Sequence, residues 1–180
     1  MQRRSLVLGL AFAWSAGVAH AEGPRADLIS LAPGEAVSLG LDEARFFVAA
    51  RGPATSLSAL EQEASRQVEA GEHGPSSGAN SASVMADRTV APDLVVFDFF
   101  EAPEQGLTLL IVRNGLDRPL RYSAMLKFGD QSTPTNVCDA GPNHVVYESW
   151  PYRIGRIEIS ALRLLPPHPG RRPVCLMGDV

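Results

Sequence analysis

The sequence predicts a mainly β protein, an antiparallel β-sandwich of immunoglobulin-like or related topology. Three observations predict it. Residues 93–180 carry a succession of short apolar or alternating runs. Turn residues part these runs at intervals of roughly 8–12 residues, the spacing of sandwich strands. No helical pattern alternates with them, which argues against a parallel α/β sheet. A small β-barrel is the second architecture this pattern fits.

The chain of 180 residues opens on a different signal. Arg3 and Arg4 precede an uncharged, mostly apolar stretch from Ser5 to Val18, and Ala19-His20-Ala21 then supplies small residues three and one positions before Glu22. This is the three-part pattern of a secretory signal peptide, so residues 1–21 are expected to be removed. The apolar run falls short of the roughly 20 residues a membrane span needs. No integral membrane segment is expected after cleavage. Without Arg3 and Arg4 the basic count falls from 16 to 14 against 20 acidic residues, a net charge of -6. That balance disfavours nucleic acid as a partner.

Residues 22–52 read as N-terminal short strands. Leu28–Leu31 stops at Pro33-Gly34, Glu35–Leu39 alternates, and Phe46–Ala50 ends at Gly52-Pro53. Residues 53–92 read as a short helix plus a flexible linker. Leu57, Leu60, Ala64 and Val68 recur at helical spacing, and Ser58 and Glu61 stand at capping-box spacing, which predicts a helix near 56–70. The Gly-, Ser- and Asn-rich stretch 71–92 offers little apolar surface to offset the entropy of ordering it.

Residues 93–180 form the expected core domain. Leu94–Phe100 is apolar except for Asp98, and Leu107–Val112 reads as a strand buried on both faces. After Pro119 the chain alternates: Tyr122, Ala124, Leu126 and Phe128 on one face, Arg121, Ser123, Met125 and Lys127 on the other. Thr135–Cys138 and Val145–Trp150 are shorter strands. Ile154–Leu165 alternates until Leu162, Leu164 and Leu165 shift the pattern, which predicts a bulge or corner. Val174–Met177 is a last edge strand. The two cysteines of an exported chain, Cys138 and Cys175, are expected to form a disulfide.

Several segments resemble a pattern in small exported bacterial proteins of unknown function. They are Asn114-Gly115 through Pro119–Ala124, Ser132–Cys138, Glu148–Tyr152 and Ile154–Leu165, within residues 107–175. The resemblance implies export, with the periplasm favoured over secretion, and a β-rich fold. It implies no catalytic residue.

Motifs of common chemistries are absent. The sequence has no Gly-x-Ser-x-Gly, no phosphate-cradling glycine loop and no His-Glu-x-x-His, so no catalytic residue, metal ligand or cofactor is assigned. Asp98, Glu101 and Glu104 cluster at a strand end, and His144 stands beside Asp139 and Asn143. Either group could serve a hydrolase, and each reads more simply as solvated polar residues. The candidate binding residues are Tyr147, Trp150, Tyr152 and Arg153. An exposed aromatic beside arginine suits glycan stacking or a protein hot spot. The competing reading buries Trp150 in the core near the disulfide. The sequence thus favours a non-catalytic recognition or accessory module for an envelope protein or glycan. A structural envelope-stress protein without a discrete ligand and a carboxylate- or His-dependent hydrolase are the alternatives.

Overall fold

The computed structural model describes residues 23–56, 63, 91–102, 106–167 and 174–176. The predicted signal peptide, and the predicted helix and linker except for Ser56, Glu63, Ala91 and Pro92, lie outside them. Glu63 is helical.

The described chain is mainly β. Its strands are β1 (Leu28–Leu31), β2 (Glu35–Asp42), β3 (Arg45–Pro53), β4 (Leu94–Ala102), β5 (Leu107–Asn114) and β6 (Leu120–Phe128). They continue as β7 (Gln131–Thr135), β8 (Val137–Cys138), β9 (His144–Trp150), β10 (Arg156–Leu164) and β11 (Cys175–Leu176). Two antiparallel sheets carry most of them. One has the order β3-β2-β4-β5-β9, the other β1-β10-β6-β7, and β8 and β11 make a two-stranded ribbon. The N-terminal strands belong to these same sheets: β2 lies between β3 and β4, and β1 pairs with β10.

Local chemistry sets these elements. Pro33-Gly34 turns β1 into β2, with Gly34 at φ 88° and the Glu35 N–H donating to Ala32 O at 3.0 Å. That is the turn in which proline fixes the first central residue and glycine takes the left-handed second. Along β2, Val37 and Leu39 point into the core while Ala36 and Ser38 point away. Gly40 lies beneath the Phe47 ring, where a Cβ would stand 2.3 Å from a ring carbon. On β6 the predicted alternation holds: Leu120, Tyr122, Ala124 and Leu126 are buried, and Ser123 and Met125 are exposed.

One apolar cluster joins the facing sides of the two sheets. Val37, Leu39, Val95, Phe97, Phe99, Leu110 and Val112 from one sheet share it with Ile29, Leu31, Tyr122, Ala124, Leu126, Ile157 and Ile159 from the other. Phe97 meets Tyr122 edge-on across the gap, ring centroids 5.4 Å apart, a favoured aromatic geometry.

The outward faces differ. On the four-stranded sheet the outer face is mostly polar, with Lys127 and Glu158 paired at 3.0 Å and Leu28 and Met125 exposed among the polar residues. On the five-stranded sheet, β5 is buried along its whole length, outward Leu109 and Ile111 included. The sequence predicts that two-sided burial. It also places Asp98 among solvated carboxylates at a strand end, and there the structure differs. Asp98 lies in the middle of β4, fully buried, paired with Arg113 and accepting from the Thr55 N–H at 3.0 Å.

Strand ends carry the other differences. β7 has the sequence Gln-Ser-Thr-Pro-Thr, lies at a sheet edge and is exposed over its first four residues. An edge strand facing water shows no apolar alternation, and Pro134 is tolerated there because an edge leaves one side unpaired.

Candidate functional site

The structure divides the four predicted binding residues. Trp150 is buried in the intersheet core, and its Nε1–H donates to Thr135 Oγ1 at 2.8 Å. Alternation along β9 directs Tyr147 to the opposite face, where it pairs with Ile111. Beyond the strand, Tyr152 is 45% exposed and packs on Phe128 at 5.7 Å. Arg153 is exposed and pairs with Glu101 at 2.8 Å. Only Tyr152 and Arg153 therefore offer side chains at one accessible corner. The tryptophan ring is core.

The candidate catalytic groups are engaged elsewhere. Both carboxylate oxygens of Asp139 accept from Arg121, each at 2.7 Å. The His144 ring is hydrogen-bonded through Nδ1 to Pro142 O at 2.6 Å. Asp98 is closed off by Arg113 and Thr55. Glu104 lies outside the described residues.

Cys138 and Cys175 form the predicted disulfide, which ties β11 to β8. Around it lies a cluster the sequence did not reveal. The Cys138 N–H donates to Glu148 Oε1 at 2.6 Å, closing the gap between β8 and β9. Glu148 stands on the inward face of β9, between Val146 and Trp150. Burial pushes its carboxyl up to about 7, and the Cys138 N–H offsets only part of this. Tyr122 is also held well above the usual phenol range, first by burial and then by the charges of Glu148 and Asp139.

A measurable pH dependence follows from Glu148. A carboxyl whose pKa rises on folding contributes most stability below its unfolded value near 4.5, and loses that contribution as pH rises through about 7. At about 1.4 kcal/mol per pH unit, the contribution lost by pH 8 is about 3 kcal/mol. Glu148→Gln keeps an acceptor for the Cys138 N–H and removes the charge. Urea denaturation at pH 8 is expected to show a more stable variant, with the difference vanishing near pH 4.5. Equal stability at pH 8 would contradict this.

An open cleft of about 440 Å³ lies at the other end of the strands from Tyr152 and Arg153. Its lining includes Arg25 and Asp27 from the segment before β1, Arg45 and Phe46 at the start of β3, and Ala161 and Leu162 of β10. Pairing brings these segments together. Leu28 sits opposite Ser160, and Arg25 bridges to Phe47. Ala26 and Phe46 are buried beneath the exposed Arg25 and Arg45. The ion pairs among the described residues leave both arginines out, joining Arg113, Arg121, Lys127 and Arg153 to other carboxylates.

The predicted bulge forms one wall. Between Ser160↔Ser123 and Arg163↔Arg121, Ala161 and Leu162 stand opposite the single residue Tyr122. Ala161 takes a φ of 52°, and Ala44, also in the lining, takes 68°. The Ala44 conformation is what the two-residue Glu43-Ala44 turn between β2 and β3 requires, whereas Ala161, left-handed in the bulge, costs of order 1 kcal/mol, a strain of the kind that clusters at binding sites. The sequence pointed to the bulge, and it gave no sign that Arg25 and Arg45 would flank it.

Among the described residues no group of three or more His, Cys, Asp or Glu is placed to hold a metal ion, and no helix is long and apolar enough to cross a membrane. Compared with known proteins, the chain matches no family model, no curated protein and no solved structure.

Proposed function

We propose that the chain is exported by a cleaved signal at residues 1–21 and acts in the periplasm as a non-catalytic recognition module of the cell envelope. The Cys138–Cys175 disulfide supports an oxidising compartment. The resemblance to small exported bacterial proteins supports the periplasm over secretion.

The strand order supports an immunoglobulin-like sandwich beneath this function. Let β4, β5, β6, β9 and β10 stand for strands A, B, C, E and F. One sheet then reads A-B-E and the other has C beside F, as in that fold. β1, first in the chain, fills the place of the last strand G, antiparallel to F. The disulfide lies at the sandwich margin, in place of the bridge between B and F.

The observation that carries the recognition reading is the cleft at Arg25 and Arg45. It unites two guanidiniums outside the ion pairs with the bulged wall at Ala161, over a floor closed by Ala26 and Phe46, the makings of a polar binding cleft. A hydrolase reading would rest on Glu148. Its Oε1 is held by the Cys138 N–H, and its carboxyl sits behind the β8–β11 ribbon.

Crosslinked affinity capture from an envelope extract tests the proposal, using the mature, oxidised protein beside an Arg25→Gln/Arg45→Gln variant. Both arginines are exposed, so the variant is expected to melt within about 0.5 kcal/mol of the parent. A partner captured by the parent and lost by the variant supports recognition through the cleft. Identical captures, or none, would overturn it.

A further inference from the structure

We infer that the Arg25–Arg45 cleft takes the C-terminal carboxylate of a polypeptide, with the last side chain seated on the apolar floor. The inference rests on the recognition reading above and names its ligand.

The lining defines the charge of the ligand. Two guanidiniums and the Asp27 carboxylate leave one net positive charge. Arginine's planar fork matches a carboxylate in two parallel N–H···O bonds. A phosphate or sulfate dianion would carry excess charge toward Asp27, and toward Asp42 and Glu43 in the adjoining turn. A monoanion halves that repulsion, which Asp42 and Glu43 still exert, and can carry its own N–H donor. The carboxylate takes the guanidiniums and the N–H faces Asp27. The end of a polypeptide has both groups a few bonds apart.

The shape agrees with the charge. Ala26 and Phe46 close the floor with little surface left open, half-buried Leu162 adds apolar surface beside them, and a volume at the small end of ligand pockets suits the last few residues of a chain more than a long extended segment. At Ala161–Leu162 two residues face one, so the bulge leaves backbone groups outside the ladder. These can meet the penultimate peptide group of the ligand. A long acidic polymer has no such end, and the mature chain's net charge of -6 repels it.

The test uses N-acetylated hexapeptides of mixed sequence ending in leucine, as free acids and as C-terminal amides. Binding is read by amide chemical shifts of Ala26, Phe46, Ala161 and Leu162 in the full mature protein. The free acids are expected to shift these resonances, with amides and the Arg45→Gln variant binding about tenfold more weakly or worse. Equal binding of acids and amides would overturn the carboxylate assignment. If the double arginine variant still lost its captured partner, recognition through the cleft would survive that failure. Inorganic phosphate binding as tightly as the acids would replace the inference with a generic anion site. No shift at the peptides' solubility limit would overturn it outright.

Discussion

Replacing Asp98 by alanine is expected to remove about 3–5 kcal/mol of stability, the cost of breaking a buried ion pair by removing one member. Asp98 is fully buried, and Arg113, its partner on β5, is only 6% exposed. The other carboxylate oxygen accepts the Thr55 N–H, which anchors the chain leaving β3 over the middle of β4. Truncation therefore takes a carboxylate from a buried guanidinium and an acceptor from a backbone donor together. Asp98→Asn restores an acceptor for Thr55 but not the carboxylate charge beside Arg113, so it is expected to recover only part of the loss. Asp98→Leu with Arg113→Met removes both charges and is expected to recover most of it, since buried pairs contribute little over apolar residues of similar volume. Urea midpoints at constant slope decide the matter. An Asp98→Ala loss below about 1 kcal/mol would mean that water or another group already serves the Arg113 charge.

Asp98 also marks the boundary of what the sequence discloses. The run Leu94–Phe100 shows one charged residue in an apolar strand, and alternation assigns that residue to the outward face. In a sandwich of two layers the outward face is wet, so a solvated carboxylate is the natural expectation. The run Leu107–Val112 contradicts it, because a strand without alternation is covered on both sides. β4 is the neighbour of β5, and its outward face shares that cover. Reading the two strands together would have put Asp98 indoors and called for a cationic partner. β5 itself supplies it two residues after its last outward isoleucine.

The cleft is illegible for a different reason. Arg25, Arg45 and Ala161 come together because β1 pairs with β10 and the segment before β1 runs along β3. Neither pairing has a local signature. β1 is a four-residue strand that could have joined any open edge. Only the bulge announced itself, through the phase shift at Leu162. Trp150 fails the other way: aromatic residues near a strand end look alike whether they close the core or line a rim. The side of β9 it occupies is fixed by Val146, four residues back on the same face.

Removing the disulfide is expected to cost about 4 kcal/mol, the loop-closure entropy returned to the unfolded chain. The bond joins residues 37 apart in sequence. Its native neighbourhood is small: β11 pairs with β8 through two residue pairs, and the Asp139 N–H donates to Val174 O at 3.0 Å. A ribbon that short does not hold against chain entropy alone, so Cys138→Ser/Cys175→Ser should free residues 174–176 before the sheets unfold. The consequence extends to Glu148, whose acceptor bond is to the N–H of Cys138 itself. With β8 loosened, water reaches that carboxylate, and the burial that raises its pKa weakens. The serine variant should then lose much of the fall in stability between pH 4.5 and 8 that the parent shows. Combined with Glu148→Gln it should show a coupling of about 1 kcal/mol or more, as residues in one network do. Additive effects would mean that Glu148 and the bridge act independently. A serine variant within about 1 kcal/mol of the parent, at any pH, would mean that the ribbon holds without its bond.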